Sequence, residues 1–164
     1  MSQEFEGLLR ALSTAHVDFV LVGGMAATVH GSARATYDID VVYSRSSENI
    51  ERLVAALAPL RPYPRGAPPD LPFRLDADTI RRGLNFTLAT SLGALDLFGE
   101  IAGGGTYEAL LADTVTISLF GSDCRCLTLD RLIEVKRAAG RPKDLEAIAE
   151  LEALREEREQ GGGH

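Results

Sequence analysis

The sequence predicts an α/β or α+β domain in which a mixed, largely antiparallel sheet is backed by helices. Three observations carry the prediction. The stretch Val17 to Tyr43 joins two apolar runs through Gly23-Gly24 and a segment of small residues, and reads as strand, tight turn, short helix, strand. Two further runs, Leu84 to Thr90 and Ala94 to Phe98, are separated by Ser91-Leu92-Gly93 in the manner of a hairpin. Apolar residues at three- and four-residue spacing near both ends of the chain mark amphipathic helices that can cover such a sheet.

In order, Glu4 to Ala15 places Phe5, Leu8, Leu9 and Leu12 on one helical stripe. Val17 to Val22 is too continuously apolar for a half-exposed strand and predicts a central one. After the Gly-Gly turn a helix opens at about Met25, and a second strand begins inside Asp38-Ile39-Asp40. Ser46 or Ser47 can cap a helix carrying Ile50, Leu53, Val54 and Leu57, which stops near Pro59. Six of the seven prolines fall between Pro59 and Pro72, too dense for a helix or central strand, so 59–72 is expected to be a loop outside the sheet. The predicted hairpin follows. Thr106 to Asp113 reads as a short helix, Val115 to Phe120 and Cys124 to Leu127 as strands. Thr128 caps a helix with Leu129, Leu132, Ile133 and Lys136 on one stripe, and a last helix after Pro142 aligns Asp144, Ile148 and Leu151. It thins into Gly161-Gly162-Gly163-His164, expected to be a disordered tail at 161–164.

The 164 residues, 45% of them hydrophobic, suffice for one buried core and fall short of two ordinary domains, so 1–160 is expected to be a single domain. No apolar run approaches the ~20 residues that span a bilayer, and a cytoplasmic protein is expected. Cys124 and Cys126, two apart on one strand, are expected to be reduced. A net charge of −7 argues against a broad electrostatic grip on duplex nucleic acid but permits a local basic groove.

The stretch from Gly23 to Asp40 carries the chemistry. Two glycines at a strand end let the backbone approach a ligand closely, and free N–H groups at a helix start favour phosphate. Asp38 and Asp40 alternate with Ile39, so both project from one face of their strand. Like charges that close need a cation between them, and Mg2+ is the hard cation that carboxylates and phosphate oxygens share. Asp96 is the odd polar residue on the apolar side of the second hairpin strand. It is either an edge charge that discourages sheet pairing or a third ligand. Lys136, on an apolar stripe, either snorkels to water or faces an anion in a cleft. Asp144 either complements the dipole of its helix or joins that cleft.

Gly23-Gly24, Arg34-Ala35-Thr36 and Asp38-Ile39-Asp40, in that order, resemble the signature of the polymerase-β-like nucleotidyltransferases. GGMAATVHGSARATYDID is most similar to the branch containing minimal nucleotidyltransferases and AbiEii-type toxins, and LIEVKRAAGRPKDLEAIAEL carries a second, weaker similarity. The resemblance implies the nucleotidyltransferase fold and transfer of a nucleoside monophosphate from an Mg2+-bound nucleoside triphosphate to a hydroxyl on RNA, protein or a small molecule. It also implies a toxin–antitoxin setting with a partner protein. In that frame Gly23, Gly24, Arg34 and Lys136 bind the nucleotide and Asp38, Asp40 and Asp96 bind metal. Lys136 and Asp144 serve phosphate binding and acceptor activation, with either Asp96 or Asp144 as the base. The competing expectation is a nucleotide-binding or interaction protein whose transferase site is inactive or depends on a partner.

Overall fold

A computed structural model describes residues 3–161. Helix α1 (Gln3–Thr14) leads into strand β1 (Phe19–Val22), helix α2 (Gly23–Val29), strand β2 (Asp38–Tyr43) and helix α3 (Ser47–Leu57). Strand β3 (Tyr63–Pro64), helix α4 (Ala77–Arg82) and the hairpin of β4 (Phe86–Thr90) and β5 (Gly93–Phe98) follow. A small ribbon of β6 (Glu100–Ile101) and β7 (Gly105–Thr106) and the short helix α5 (Tyr107–Leu110) precede β8 (Thr114–Leu119) and β9 (Ser122–Leu127). Helices α6 (Leu129–Ala139) and α7 (Pro142–Gly161) close the described chain. The main sheet runs β3-β4-β5-β2-β1-β9-β8. Its β2–β5 and β1–β9 pairs are parallel and the rest antiparallel, so it is mixed and largely antiparallel as the sequence predicts.

The core explains the order. All four residues of β1 are buried, as befits a strand flanked on both sides. Phe5, Leu8, Leu9 and Leu12 of α1 are buried, and α1 packs on α3, which buries Ile50, Leu53 and Leu57. Ser46, rather than Ser47, caps α3, its side chain accepting from the Asn49 N–H at 3.2 Å. Asn49 is itself buried, which costs free energy unless its amide is bonded. It accepts from Asp18 N–H (2.6 Å) and donates to the Asp18 and Ser44 carbonyls (3.0 and 2.8 Å), tying α3 to the entry of β1 and the exit of β2. Thr128 caps α6 by accepting from Arg131 N–H. The His30 ring, hydrogen-bonded to the Leu127 carbonyl (2.6 Å) and to Arg158 (2.9 Å), pins the end of α2 to β9 and to the far half of α7. Cys124 and Cys126 are buried free thiols.

Two expectations change and one helix goes unpredicted. The 59–72 segment does not lie wholly outside the sheet, because Tyr63–Pro64 pairs with Leu88 and Ala89 as an edge strand. An edge tolerates the missing proline N–H, and the next donor, the Arg65 N–H, bonds the Thr87 carbonyl at 2.9 Å. Past it, Asp76 caps α4, its carboxylate accepting from Thr79 N–H at 2.8 Å, a helix hidden by proximity to the prolines. Of the tail expected to be disordered, Gly161 ends α7, and 162–164 lie outside the described residues. No helix of the described residues is long and apolar enough to cross a membrane.

Candidate active site

Strands β2 and β5 lie side by side in a parallel register that sets Asp40 against Asp96 and Asp38 against Ala94. Alternation along β2 sends Ile39 and Val41 into the core and leaves Asp38 and Asp40 together on the other face. One oxygen from each of Asp38, Asp40 and Asp96 lies within 4.8 Å of the other two. Asp96 is therefore no stray edge charge, since β5 sits between β4 and β2.

Such a cluster is costly without a counter-ion. Burial, reinforced by the charges of Asp38 and Asp96 and opposed by Lys136, raises the Asp40 carboxyl to about 7. Burial and then the charge of Asp96 raise Asp38, against the attraction of Arg65 and Lys143. The Asp40 Oδ1 atom is buried with no hydrogen-bond partner. Three hard oxygen donors converging around an unsatisfied buried oxygen fit a divalent cation that prefers oxygen ligands.

The glycines are needed where they are. Gly23 has φ +68° and its missing side chain makes room for Asp40, because a Cβ there would run into the carboxylate. A Cβ on Gly24 would meet the Thr36 hydroxyl at 2.6 Å. Both glycines thus let the start of α2 close against the strand that bears the acids. Gly23 and Asp40 share one wall of a cavity of about 280 Å³. Its apolar side is made by Val22, Phe98, Ile101, Leu132 and Val135, and its charged end by Lys136, Arg141 and Asp144.

Lys136 faces that cleft with an anionic partner, its ammonium 4.0 Å from Asp144. Burial lowers its pKa, and Asp144 and Asp40 oppose the shift. Asp144 is only 2% exposed. Burial alone would raise its pKa, but the hydrogen bonds and charge of Arg141 (2.6 and 3.2 Å) and the charge of Lys136 hold it below the ordinary carboxylate value. Arg34 stands apart from this cavity. It pairs with Glu146 at 3.6 Å and lines a small neighbouring groove that Gly24 and Lys136 also border.

One residue at the centre escaped the motif reading. Arg65, at the end of β3, places Nη2 2.7 Å from Asp96 and 3.9 Å from Asp38. Its sequence neighbourhood shows only a basic, proline-rich loop, and the contact exists because the Tyr63–Pro64 pairing brings that loop to the sheet edge.

The family profile described as nucleotidyl transferase AbiEii toxin, type IV toxin–antitoxin system, matches residues 7–96. The chain belongs to the AbiEii nucleotidyl transferase family. The match in this AbiEii-family chain ends at Asp96, so all three clustered carboxylates fall inside it and Lys136 and Asp144 beyond it. Among solved structures, the lincosamide antibiotic adenylyltransferase LnuA with lincomycin bound is similar at 14% identity over 94% of this chain and 98% of that one, with a TM-score of 0.61. The antibiotic-resistance factor ANT(2'')-Ia is similar in its solution structure, at 17% identity over 98% of this chain and 92% of that one, TM-score 0.54. Its complex with adenylyl-2''-tobramycin gives 16% identity over 98% of both chains, TM-score 0.51. These likenesses establish the nucleotidyltransferase fold. No curated protein matches the chain in sequence.

Proposed function

We propose that this nucleotidyltransferase moves a nucleoside monophosphate from an Mg2+-bound nucleoside triphosphate to an acceptor hydroxyl, with release of pyrophosphate. The observation that carries the reading is the convergence of Asp38, Asp40 and Asp96 beside a cavity that Lys136 and Arg141 also line. Asp38, Asp40 and Asp96 would hold the metal, which supplies charge neutralisation at the phosphate oxygens when bound. Gly23 and Gly24 keep the backbone open toward the triphosphate, and Lys136, in the same cavity, neutralises its charge. Arg34 contributes from the adjoining groove. In-line attack at phosphorus asks little covalent chemistry of the protein, so holding the two substrates in line and balancing charge carry the rate.

The proton of the acceptor hydroxyl falls to Asp96 rather than Asp144. Asp144 is enclosed by Arg141 and Lys136, which lower its basicity, whereas Asp96 lies in the carboxylate cluster itself, beside Asp40. Asp144 instead orients Lys136 and Arg141.

The acceptor is best read as compact. LnuA binds lincomycin and ANT(2'')-Ia a tobramycin adduct, and the basic residues of this chain are largely compensated. Arg81 pairs with Glu51, Arg82 with Asp78, Arg137 with Glu152 and Arg141 with Asp144. Little of a continuous basic track for a long RNA is left over. The reading includes one domain over 1–160 acting in the cytoplasm, where triphosphates are abundant, with a partner protein from a toxin–antitoxin pair.

The test incubates the protein with each triphosphate labelled at the α-phosphorus, Mg2+ and a cell extract, with γ-labelled triphosphates and Asp40→Ala in parallel. Label from the α position alone, absent with Asp40→Ala, is the expected result, and the labelled species names the acceptor. Transfer of γ-label would replace the proposal with phosphoryl transfer. Binding of triphosphate with no transfer would replace it with a nucleotide-binding role.

A further inference from the structure

The carboxylate cluster already holds a cation supplied by the chain itself. Arg65 Nη2 donates to Asp96 at 2.7 Å and stands 3.9 Å from Asp38, while Nη1 donates to the Leu88 carbonyl at 3.0 Å. The contact is built into the sheet. Asp40 lies beside Asp96 on β5, Asp96 beside Thr87 on β4, and the Thr87 carbonyl accepts from the Arg65 N–H, so one row crosses three strands and ends at Arg65, just past β3. The side chain is two-thirds covered, and its acidic partners are 85% and 66% covered. Asp40, in the same cluster, keeps an oxygen that the guanidinium does not reach. Arg65 thus satisfies part of the cluster from its β4 side and leaves the Asp40 side open.

We propose that Arg65 is a resident counter-ion that competes with divalent metal for Asp96 and Asp38 and swings off them when the metal enters. This rests on the metal-binding reading of the three acids. A guanidinium and a divalent metal held by the same acids are both positive and repel each other at this separation, so each weakens the other's hold on Asp96 and Asp38. With Arg65 in place, the metal-free acids avoid part of the repulsion that would otherwise loosen β2 against β5. With Arg65 displaced, the Asp96 oxygen that it holds is freed. The proline-rich segment then acts as a positioning element that sets how readily the site loads. Its backbone is tied to the sheet near this point by the two-residue strand β3 and the Arg65 N–H bond.

The test measures metal binding without nucleotide. Mn2+ is titrated into the intact protein and into Arg65→Gln, with free Mn2+ followed by electron paramagnetic resonance. In parallel, the guanidinium N–H signals of the unaltered protein are followed by nitrogen-15 NMR as Mg2+ is added. Competition predicts that Arg65→Gln binds Mn2+ about fivefold more tightly, the scale of one partly exposed ion pair. It also predicts that the protected Arg65 guanidinium signal gives way to a freely exchanging one as Mg2+ saturates. Equal or weaker Mn2+ binding in Arg65→Gln overturns the proposal, and so does a guanidinium that stays protected in saturating Mg2+. The NMR arm needs no variant to fold. If neither protein binds Mn2+, the metal-site reading fails and the competition with it. Binding that is abolished by Asp96→Asn yet indifferent to Arg65 leaves the metal site standing and overturns the competition alone.

Discussion

Two covered carboxylates face the same cavity, Asp40 from strand β2 and Asp144 from the start of α7, and their surroundings are opposite. Asp144 is the more deeply buried, yet both its oxygens are engaged by Arg141 and its charge is balanced again by Lys136. Asp40 has acids for neighbours and one buried oxygen with no partner. Burial raises the carboxyl in both cases. In Asp144 the cations overcome it and the pKa ends lowered, whereas in Asp40 the flanking acids add to it and the pKa reaches about 7. The difference separates an acid whose charge is balanced by its own fold from one whose charge is left unbalanced.

The sharpest way to break this comparison is to neutralise each acid. Asp40→Ala should lower Mg2+-dependent transfer by about 10³-fold or more, because a ligand in the charge-stabilising centre is lost. Asp40→Asn should meanwhile make the metal-free fold more stable at pH 8, on the order of 3 kcal/mol, as measured by urea unfolding. The sign follows from the raised pKa. Between the ordinary 3.8 and about 7 the native state binds the extra proton, so the contribution of Asp40 to stability falls as pH rises through that window. The gain from Asp40→Asn should therefore vanish near pH 4. A variant that is destabilised at pH 8 would place the acid in the balanced class with Asp144.

Lys136→Met should cost about 10²-fold in kcat/KM for the triphosphate, since the cavity loses a largely covered cation while the methionine keeps the length of the apolar stem. A loss confined to stability would assign Lys136 to Asp144 alone.

Asp144→Asn is the mirror of Asp40→Asn. It strips the buried partner from Lys136 and Arg141 and should destabilise the fold by about 3 kcal/mol at neutral pH. Because its folded pKa is depressed, that contribution is fully present above the unfolded value of 3.8 and is lost as pH falls through the lower folded value. Metal binding should survive, which titration of the variant with Mn2+ checks.

The smallest effect is expected at Arg34. It is nearly half exposed, pairs with Glu146 and lies outside the main cavity, so Arg34→Ala should raise the KM for triphosphate only about threefold. A change beyond about thirtyfold would mean that the groove it shares with Lys136 carries the phosphates.

The sequence disclosed the part of this site that is local. Asp38 and Asp40 share a face because a strand alternates, and Gly23-Gly24 announces the turn because few other residues can make it. Asp96 was visible as a polar residue on an apolar side, though only the parallel register of β2 and β5 shows that it lies beside Asp40. Lys136 and Asp144 stood out by breaking apolar stripes, but which cations neutralise Asp144 depends on how α6 and α7 dock. The proline-rich segment was the least legible. A two-residue edge strand leaves no periodic signal, and the pairing of Tyr63 and Pro64 with β4 is what turns Arg65 from a loop charge into a contact of the carboxylate cluster. Helix α4 was hidden for the same reason, since its cap at Asp76 follows four residues after the last proline of the run.

The most direct test titrates the carboxyl carbons of Asp40 and Asp144 by carbon-13 NMR, with and without Mg2+. Without metal, Asp40 should titrate near 7 and Asp144 below 3.8. Mg2+ should pull the Asp40 titration down by more than a unit, because metal and proton compete for the same oxygens, and should leave Asp144 unmoved. Two carboxyls that both titrate near 4 and ignore Mg2+ would contradict the account.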